Sequence, residues 1–360
     1  MTPALPAFLA TTEALQVEVR APARLHLGFL DPSATLGRRF GSLGLVIDGP
    51  STVVRLAWRG SGTDDVGAAP GAQHEVVRAA RHLRRLREAL PPLRHGALQL
   101  QLLSALPAHA GLGSGTQLAL AIGRAYARLM GHETAGIASA ELAHLLGRGL
   151  RSGIGIAGFD QGGLLLDGGP GPDGRPAPLL SRIALPSAWR VILVRDPRAA
   201  GLSGEAEKAA LARLSPFAAE RAAALCHEVL MRVLPGAADG DFESFALGLG
   251  TVQRLLGEHF APAQPHGAFT SAGVARLLGW IDAHAAQLAG TPVAIGQSSW
   301  GPTGFAFVPD AARGEALIAA ARAAGVLDAA LQVELVRARS QGAQVLADAS
   351  VPAGRIAAAA

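Results

Sequence analysis

The sequence predicts an α+β fold in two halves, and three observations predict it. Strand-like and helix-like stretches mix without strict strand–helix–strand alternation, which argues against a doubly wound parallel sheet. A glycine-rich loop, Pro107-Ala-His-Ala-Gly-Leu-Gly-Ser-Gly-Thr116, carries an alternating strand straight into a helix. A run of glycine and proline at 168–178 (GGPGPDGRPAP) is the strongest breaker in the chain. The division drawn from these is 1–185, holding the glycine-rich loop, and 186–360.

The elements follow in order. Val17 to Ala23 alternates as a strand, and a polar, glycine-containing loop runs from Asp31 to Gly44. Leu43 to Ile47 and Thr52 to Trp58 read as two further strands, Ser61 to Gln73 as a surface loop, and His74 to Leu90 as a helix. Gly96 to Leu106 is the alternating strand before the loop. Behind it Leu118, Ile122, Ala125 and Leu129 recur at helical spacing and form a buried stripe. Ala138 to Leu150 reads as a helix, Ser152 to Gly163 as a second glycine-rich segment, and Leu164 to Asp167 as a strand. Past the breaker come a strand at Trp189 to Arg195 and helices at 205–214, 218–234, 241–258 and 271–287. A third glycine-rich loop, Pro292 to Gly304, leads into the strand Phe305 to Val308. A helix at Gly314 to Ala324 and a last strand at Gln332 to Ala338 complete the pattern.

Composition narrows the function. The 360 residues are 49% hydrophobic, enough for a sizeable core, and the net charge is only +4. The densest basic cluster, Arg81, Arg84, Arg85 and Arg87, sits on a helix without interleaved aromatics, so no nucleic-acid partner is expected. A modest basic balance suits phosphorylated or carboxylated small substrates. The single Cys226 excludes an intrachain disulfide and a cysteine metal cluster. No apolar stretch is long enough to span a bilayer, and the first residues lack the basic-then-apolar pattern of a signal peptide. The expectation is a cytoplasmic protein with no membrane partner.

Several chemistries can be set aside. Lys208 is the only lysine and no glycine loop precedes it, so there is no Walker-type phosphate loop. Residues 111–116 do not have dinucleotide-fold glycine spacing. No zinc-type His or Cys pair is present. Asp64-Asp65 lacks the preceding apolar strand of a phosphoribosyltransferase motif and reads as a polar loop. The glycine-rich loop itself remains. Unpaired N–H groups and the dipole at a helix start favour an anion, and glycines let the backbone approach it.

Taken together the segments resemble the GHMP kinase superfamily. Three motifs carry the resemblance: Ala21-Pro-Ala-Arg-Leu-His-Leu-Gly28, Pro107 to Thr116 (similar to PxxxGLGSS), and Gly296-Gln-Ser-Ser-Trp-Gly-Pro-Thr-Gly-Phe-Ala-Phe307. The resemblance implies a GHMP-kinase-like two-domain fold, its N-terminal half like the second domain of ribosomal protein S5 and its C-terminal half ferredoxin-like. The chain departs from the kinases in Arg24, in Arg38-Arg39, and in Trp300 with Pro302, where kinases prefer small residues. With Ser152 to Gly163 and Gly201-Leu-Ser-Gly-Glu205, these departures resemble one branch, the β-ribofuranosylaminobenzene 5′-phosphate synthases of methanopterin biosynthesis.

That resemblance implies a decarboxylating ribosyl transfer from phosphoribosyl diphosphate to 4-aminobenzoate or 4-hydroxybenzoate, with Mg²⁺, in a homodimer. A small-molecule kinase using ATP is the alternative. Asp160, beside Gln161, stands in a segment resembling the kinases' S/G-G-x-D and is the candidate carboxylate at the reacting centre; the other reading is a turn aspartate. Arg24 and His26 share a strand face and are candidates to line the pocket. Gly111, Gly113, Ser114, Gly115 and Thr116 are candidates for the phosphates, although Ser114 and Thr116 would cap a helix in any case. Arg38 and Arg39 are candidates to clamp a phosphate or carboxylate. Ser298, Ser299 and Thr303 would close the site from the other half, and Trp300 would stack on the aromatic substrate or serve the core. Asp31 is either a magnesium ligand or the start of an Asp-Pro turn.

Overall fold

The computed structural model describes residues 16–91, 96–132, 136–171, 175–202 and 204–348. The first fifteen residues, Ser203 and the side chain of Glu205, all read above, lie outside the described residues.

Strands β1 (Gln16–Asp31) and β2 (Phe40–Gly60) form a long antiparallel pair. Sequence reading had split β2 in two at Asp48-Gly49-Pro50. The strand continues because β1 pairs on both sides of that stretch, Arg24 opposite Val46 and Pro22 opposite Ser51. A register shift falls between Pro22 and Arg24, and such bulges re-aim the side chains beside them. The next elements are β3 (Asp65–Ala68), α1 (Val76–Ala89), β4 (Ala97–Ser104), α2 (Ser114–Leu129) and α3 (Ser139–Leu145). β3 lies in the expected surface loop and pairs parallel with β4. Asp64 before it is a structural residue: its carboxylate takes Arg87 and the Leu98 amide.

The second glycine-rich segment contains a helix, α4 (Ile154–Gln161), which sequence reading missed. Its glycines let it press on the sheet, since a Cβ on Gly158 would come within 2.8 Å of Val46 Cγ2. Then follow β5 (Leu164–Asp167), β6 (Leu179–Ile183), β7 (Arg190–Arg195), α5 (Gly204–Arg213) and α6 (Ala219–Glu228). A π turn at Val229–Val233 joins α6 to α7 (Leu234–Asp239). The remainder is α8 (Phe242–Phe260), α9 (Ala272–Ala289), β8 (Ala294–Gln297), β9 (Thr303–Val308), α10 (Ala311–Ala323), β10 (Gln332–Ala338) and β11 (Gln344–Asp348).

One sheet path runs β11-β1-β2-β10-β7-β9-β8, with β3, β4, β5 and β6 attached beside β2. Helices α1, α2 and α3 bury their apolar stripes against β1, β2 and β4. Helices α9 and α10 cover one face of β7 and β9, while α6 and α8 fill the angle between those strands and β1. No helix among the described residues is long and apolar enough to cross a membrane.

Candidate active site

The loop after β4 folds as its glycines require. Gly113 holds a left-handed conformation (φ 77°) and its carbonyl accepts the Thr116 and Gln117 amides, which starts α2. No side chain caps α2, so the N–H groups of Ser114 and Gly115 and the helix dipole are left for an anion. A Cβ on Gly111 would come within 2.2 Å of the Ser298 carbonyl oxygen, and one on Gly301 within 2.3 Å of the Gly111 nitrogen. The third motif therefore packs backbone to backbone on the anion loop. His109 and Ser299, non-glycine residues at φ 57° and 55°, flank this contact.

Ser298 ties the three motifs together. Its hydroxyl donates to the Gly111 carbonyl (2.6 Å) and accepts the His26 amide (2.9 Å), while the Ser299 amide donates to the His26 carbonyl. Ser298 is fully buried, and these bonds make it a staple of the site.

Arg24 lies at the floor. Its guanidinium crosses Gly113 and Gly155: Cβ atoms there would come within 2.9 Å of Arg24 Cγ and 3.0 Å of its Nε. That Nε is buried and has no hydrogen-bond partner. Burial lowers the Arg24 pKa to about 10, against the attraction of Asp167. Burial, reinforced by Arg24 and Arg151, lowers His26 to about 3, so its imidazole is neutral. Arg151 is itself held by Glu207, at 2.6 and 2.8 Å.

The carboxylate of this region is Asp167, which sequence reading did not single out. It ends β5 opposite Ser42, is fully buried, and accepts the Gly153, Ile154, Ser42 and Gly169 amides and the Ser152 hydroxyl. It thus caps α4 and neutralises that helix start, leaving α2 as the open one. Burial raises its pKa against those hydrogen bonds.

Asp160 stands at the far end of α4, about 10 Å along the axis from Gly153 at the usual rise per residue. Its carboxylate accepts the Ser139 hydroxyl (2.5 Å) at the start of α3, and burial raises its pKa. Gln161 is exposed at the same far end, where its carbonyl accepts Arg182.

The remaining candidates divide. Asp31 is a turn anchor, accepting the Ser33 and Thr35 amides and the Thr35 hydroxyl. Arg38 donates to the Gly169 carbonyl and Arg39 to that of Pro32, and both are exposed in the β1–β2 turn. Thr116 touches Gly155 between α2 and α4, and Ser114 is buried in the first turn of α2. Thr303 is fully buried in β9 with an unpartnered hydroxyl. Among the described residues no group of three or more His, Cys, Asp or Glu side chains could hold a metal ion.

Beside the loop a cavity of about 490 Å³ opens between β1, α8 and β8. His26, Phe29, Phe260, Gln297, Ser299 and Trp300 line the end toward the site. Trp300 is 5% exposed and meets Phe260 edge to face at 5.0 Å. The Gln297 side chain is fixed in the wall by Gln264, Thr270 and the Ser299 carbonyl.

Comparison with known proteins fits this geometry. Residues 74–163, from the approach to α1 through the loop to the end of α4, match the family model "GHMP kinases N terminal domain". The beta-ribofuranosylphenol 5'-phosphate synthase of Archaeoglobus fulgidus is 31% identical over 310 residues, 83% of this chain and 90% of that protein. The chain belongs to this synthase family. The same-named protein of Methanothermobacter thermautotrophicus is 30% identical over 66% of this chain and 76% of its own. Homoserine kinase from Cytophaga hutchinsonii (TM-score 0.61, 17% identity, 95% of this chain and 100% of that one) shares the fold. So does mevalonate diphosphate decarboxylase from Staphylococcus aureus (0.63, 14%, 92% and 98%). The α+β, GHMP-kinase-like fold expected from the motifs is therefore the fold observed.

Asp167 and Gly155 stand at this site, and sequence reading did not single them out.

Proposed function

We propose that this chain is a decarboxylating C-ribosyltransferase of methanopterin biosynthesis. It joins 5-phospho-α-D-ribose 1-diphosphate to 4-hydroxybenzoate or 4-aminobenzoate and releases CO₂ and diphosphate. The relatives are named for a phenol product, which favours the hydroxy acid. The observation that carries the reading is the group facing the open start of α2. It is the guanidinium of Arg24, its Nε buried and without a hydrogen-bond partner, lying against Gly155. A kinase needs a base or positioning carboxylate for its hydroxyl nucleophile, whereas ribosyl transfer needs positive charge on a leaving diphosphate.

In this reading the N–H groups at the start of α2, with Arg24, hold the diphosphate. As the C1–O bond of the ribose breaks, its electron pair leaves with the diphosphate, where these donors meet the developing charge. The acceptor ring lies in the cavity against Trp300, Phe260 and Phe29, screened from water that would otherwise trap the ribosyl cation. The ring carbon bearing the carboxylate forms the new bond to C1. The carbon–carboxylate bond then breaks, CO₂ leaves, and its electron pair restores the aromatic ring. Neutral His26 adds no cation to repel the ribosyl centre. Arg38 and Arg39, exposed in the β1–β2 turn, would receive a 5′-phosphate or the carboxylate. Mg²⁺ bound with the diphosphate would supply further charge neutralisation on the leaving group. A homodimer in the cytoplasm and a working division at 185/186 belong to the same proposal.

The test is incubation with phosphoribosyl diphosphate, Mg²⁺ and carboxyl-labelled 4-hydroxybenzoate or 4-aminobenzoate. Equal amounts of labelled CO₂ and diphosphate are expected. No CO₂ from either acid, together with ATP consumption on an alcohol, would overturn the reading.

A further inference from the structure

We infer that Arg148 is a second phosphate-binding arginine of this site and takes part of the diphosphate of the ribosyl donor. The substrate in this statement rests on the function proposed above; the anion site does not.

Arg148 lies in the turn between α3 and α4, where left-handed Gly147 and Gly149 bracket it (φ 69° and 84°). Its guanidinium rests on Gly115 in the first turn of α2, so closely that a Cβ there would come within 2.6 Å of Nη2. The superfamily pattern PxxxGLGSS has serine at this position, and a side chain there would have to displace the guanidinium of this arginine. The same relation holds at Gly155, where a side chain would meet Arg24. An arginine guanidinium thus covers each of these two glycines.

Both arginines are also incompletely partnered. Arg148 Nε, like Arg24 Nε, is buried without a hydrogen bond. A guanidinium carries five donors in a planar fork, and one used only for structure would normally have them paired. Burial and the nearby Arg78 lower the Arg148 pKa, while Glu75 raises it. Glu75 is 2% exposed and ion-pairs with Arg78 at 3.3 Å. His82 faces the same cluster; burial, then Arg148, lowers its pKa to about 4, so it adds no competing charge. Arg24 touches the residue just before α2, and Arg148 touches the helix's second residue. Two cations set two residues apart at one helix start suit an anion with two linked phosphates, which neither arginine alone would span.

The probe is inorganic pyrophosphate, titrated calorimetrically into the full chain, with orthophosphate as comparison. Arg148→Gln is expected to weaken pyrophosphate binding about 10–100-fold, the loss of one charge-assisted hydrogen-bond partner. The KM for phosphoribosyl diphosphate should rise in parallel, with the KM for the aromatic acid within about twofold. Arg148→Lys should recover part of the binding and little of the preference over orthophosphate. Gly115→Ala should reproduce the defect by displacing the guanidinium. Pyrophosphate binding within twofold of the parent chain in a folded Arg148→Gln protein would overturn the inference. Weakened binding in a chain that releases no CO₂ would uphold the anion site and overturn the proposed reaction instead.

Discussion

Gly155 lies against the guanidinium of Arg24, and a Cβ at that position would stand 3.0 Å from its Nε. The backbone of α4 is ordinary helix there, so a side chain would meet Arg24 and Thr116 rather than strain the backbone. Gly155→Asp should therefore place a carboxylate on Arg24 and neutralise it. Turnover with phosphoribosyl diphosphate should fall about 10²–10³-fold, the scale of losing one donor to a developing charge. Steady-state kinetics beside a circular dichroism spectrum checks this, and restored or increased turnover would count against the role given to Arg24.

Two aspartates near α4 should respond in opposite ways. Asp160→Asn should leave turnover within about twofold, because its partner is Ser139 at the far end of the helix. Asp167→Ala would strand the buried Gly153, Ile154, Ser42 and Gly169 amides. The fold should lose about 3 kcal/mol or more, read as a lower urea midpoint.

Stability should decline on the acid side. In the unfolded chain histidine takes up a proton near 6.5, whereas folded His82 resists until about 4 and His26 until about 3. Their stabilising effect is complete above 6.5 and is lost as pH falls toward those folded values. Moving from pH 7.5 to 5 should lower unfolding free energy by about 1–2 kcal/mol per histidine. Urea titrations at the two pH values test this, and His82→Gln should flatten the difference.

Trp300→Leu should raise the KM for the aromatic acid about tenfold, within the range for losing one aromatic contact with its buried area. Pyrophosphate affinity should stay unchanged, since Trp300 lines the cavity and not the start of α2. A defect confined to pyrophosphate would place the acceptor elsewhere.

What was legible in the sequence was local. The strand, glycines and helix around 107–116 are contiguous, so their geometry follows from neighbours along the chain. Asp160 and Asp167 show the limit. Only the pairing of β5 with β2, opposite Ser42, decides which carboxylate reaches the start of α4, and no local pattern encodes that pairing. Ser298 reads as a polar loop residue until Gly111 and His26 arrive from far away in the chain. The glycines of 152–163 signalled a loop by composition, while in the fold they allow a helix to approach the sheet and Arg24.

The strand that carries Arg24 and His26 has a late partner. Gln16 to Arg20 of β1 pair with Asp348 to Gln344 of β11. During synthesis that edge of β1 waits, unzipped, until almost all of the described chain has left the ribosome. An exposed strand edge invites pairing with other chains. Stalled or prematurely ended translation should thus yield a protein with its anion loop already encoded and one strand edge still open, prone to aggregate before it can work.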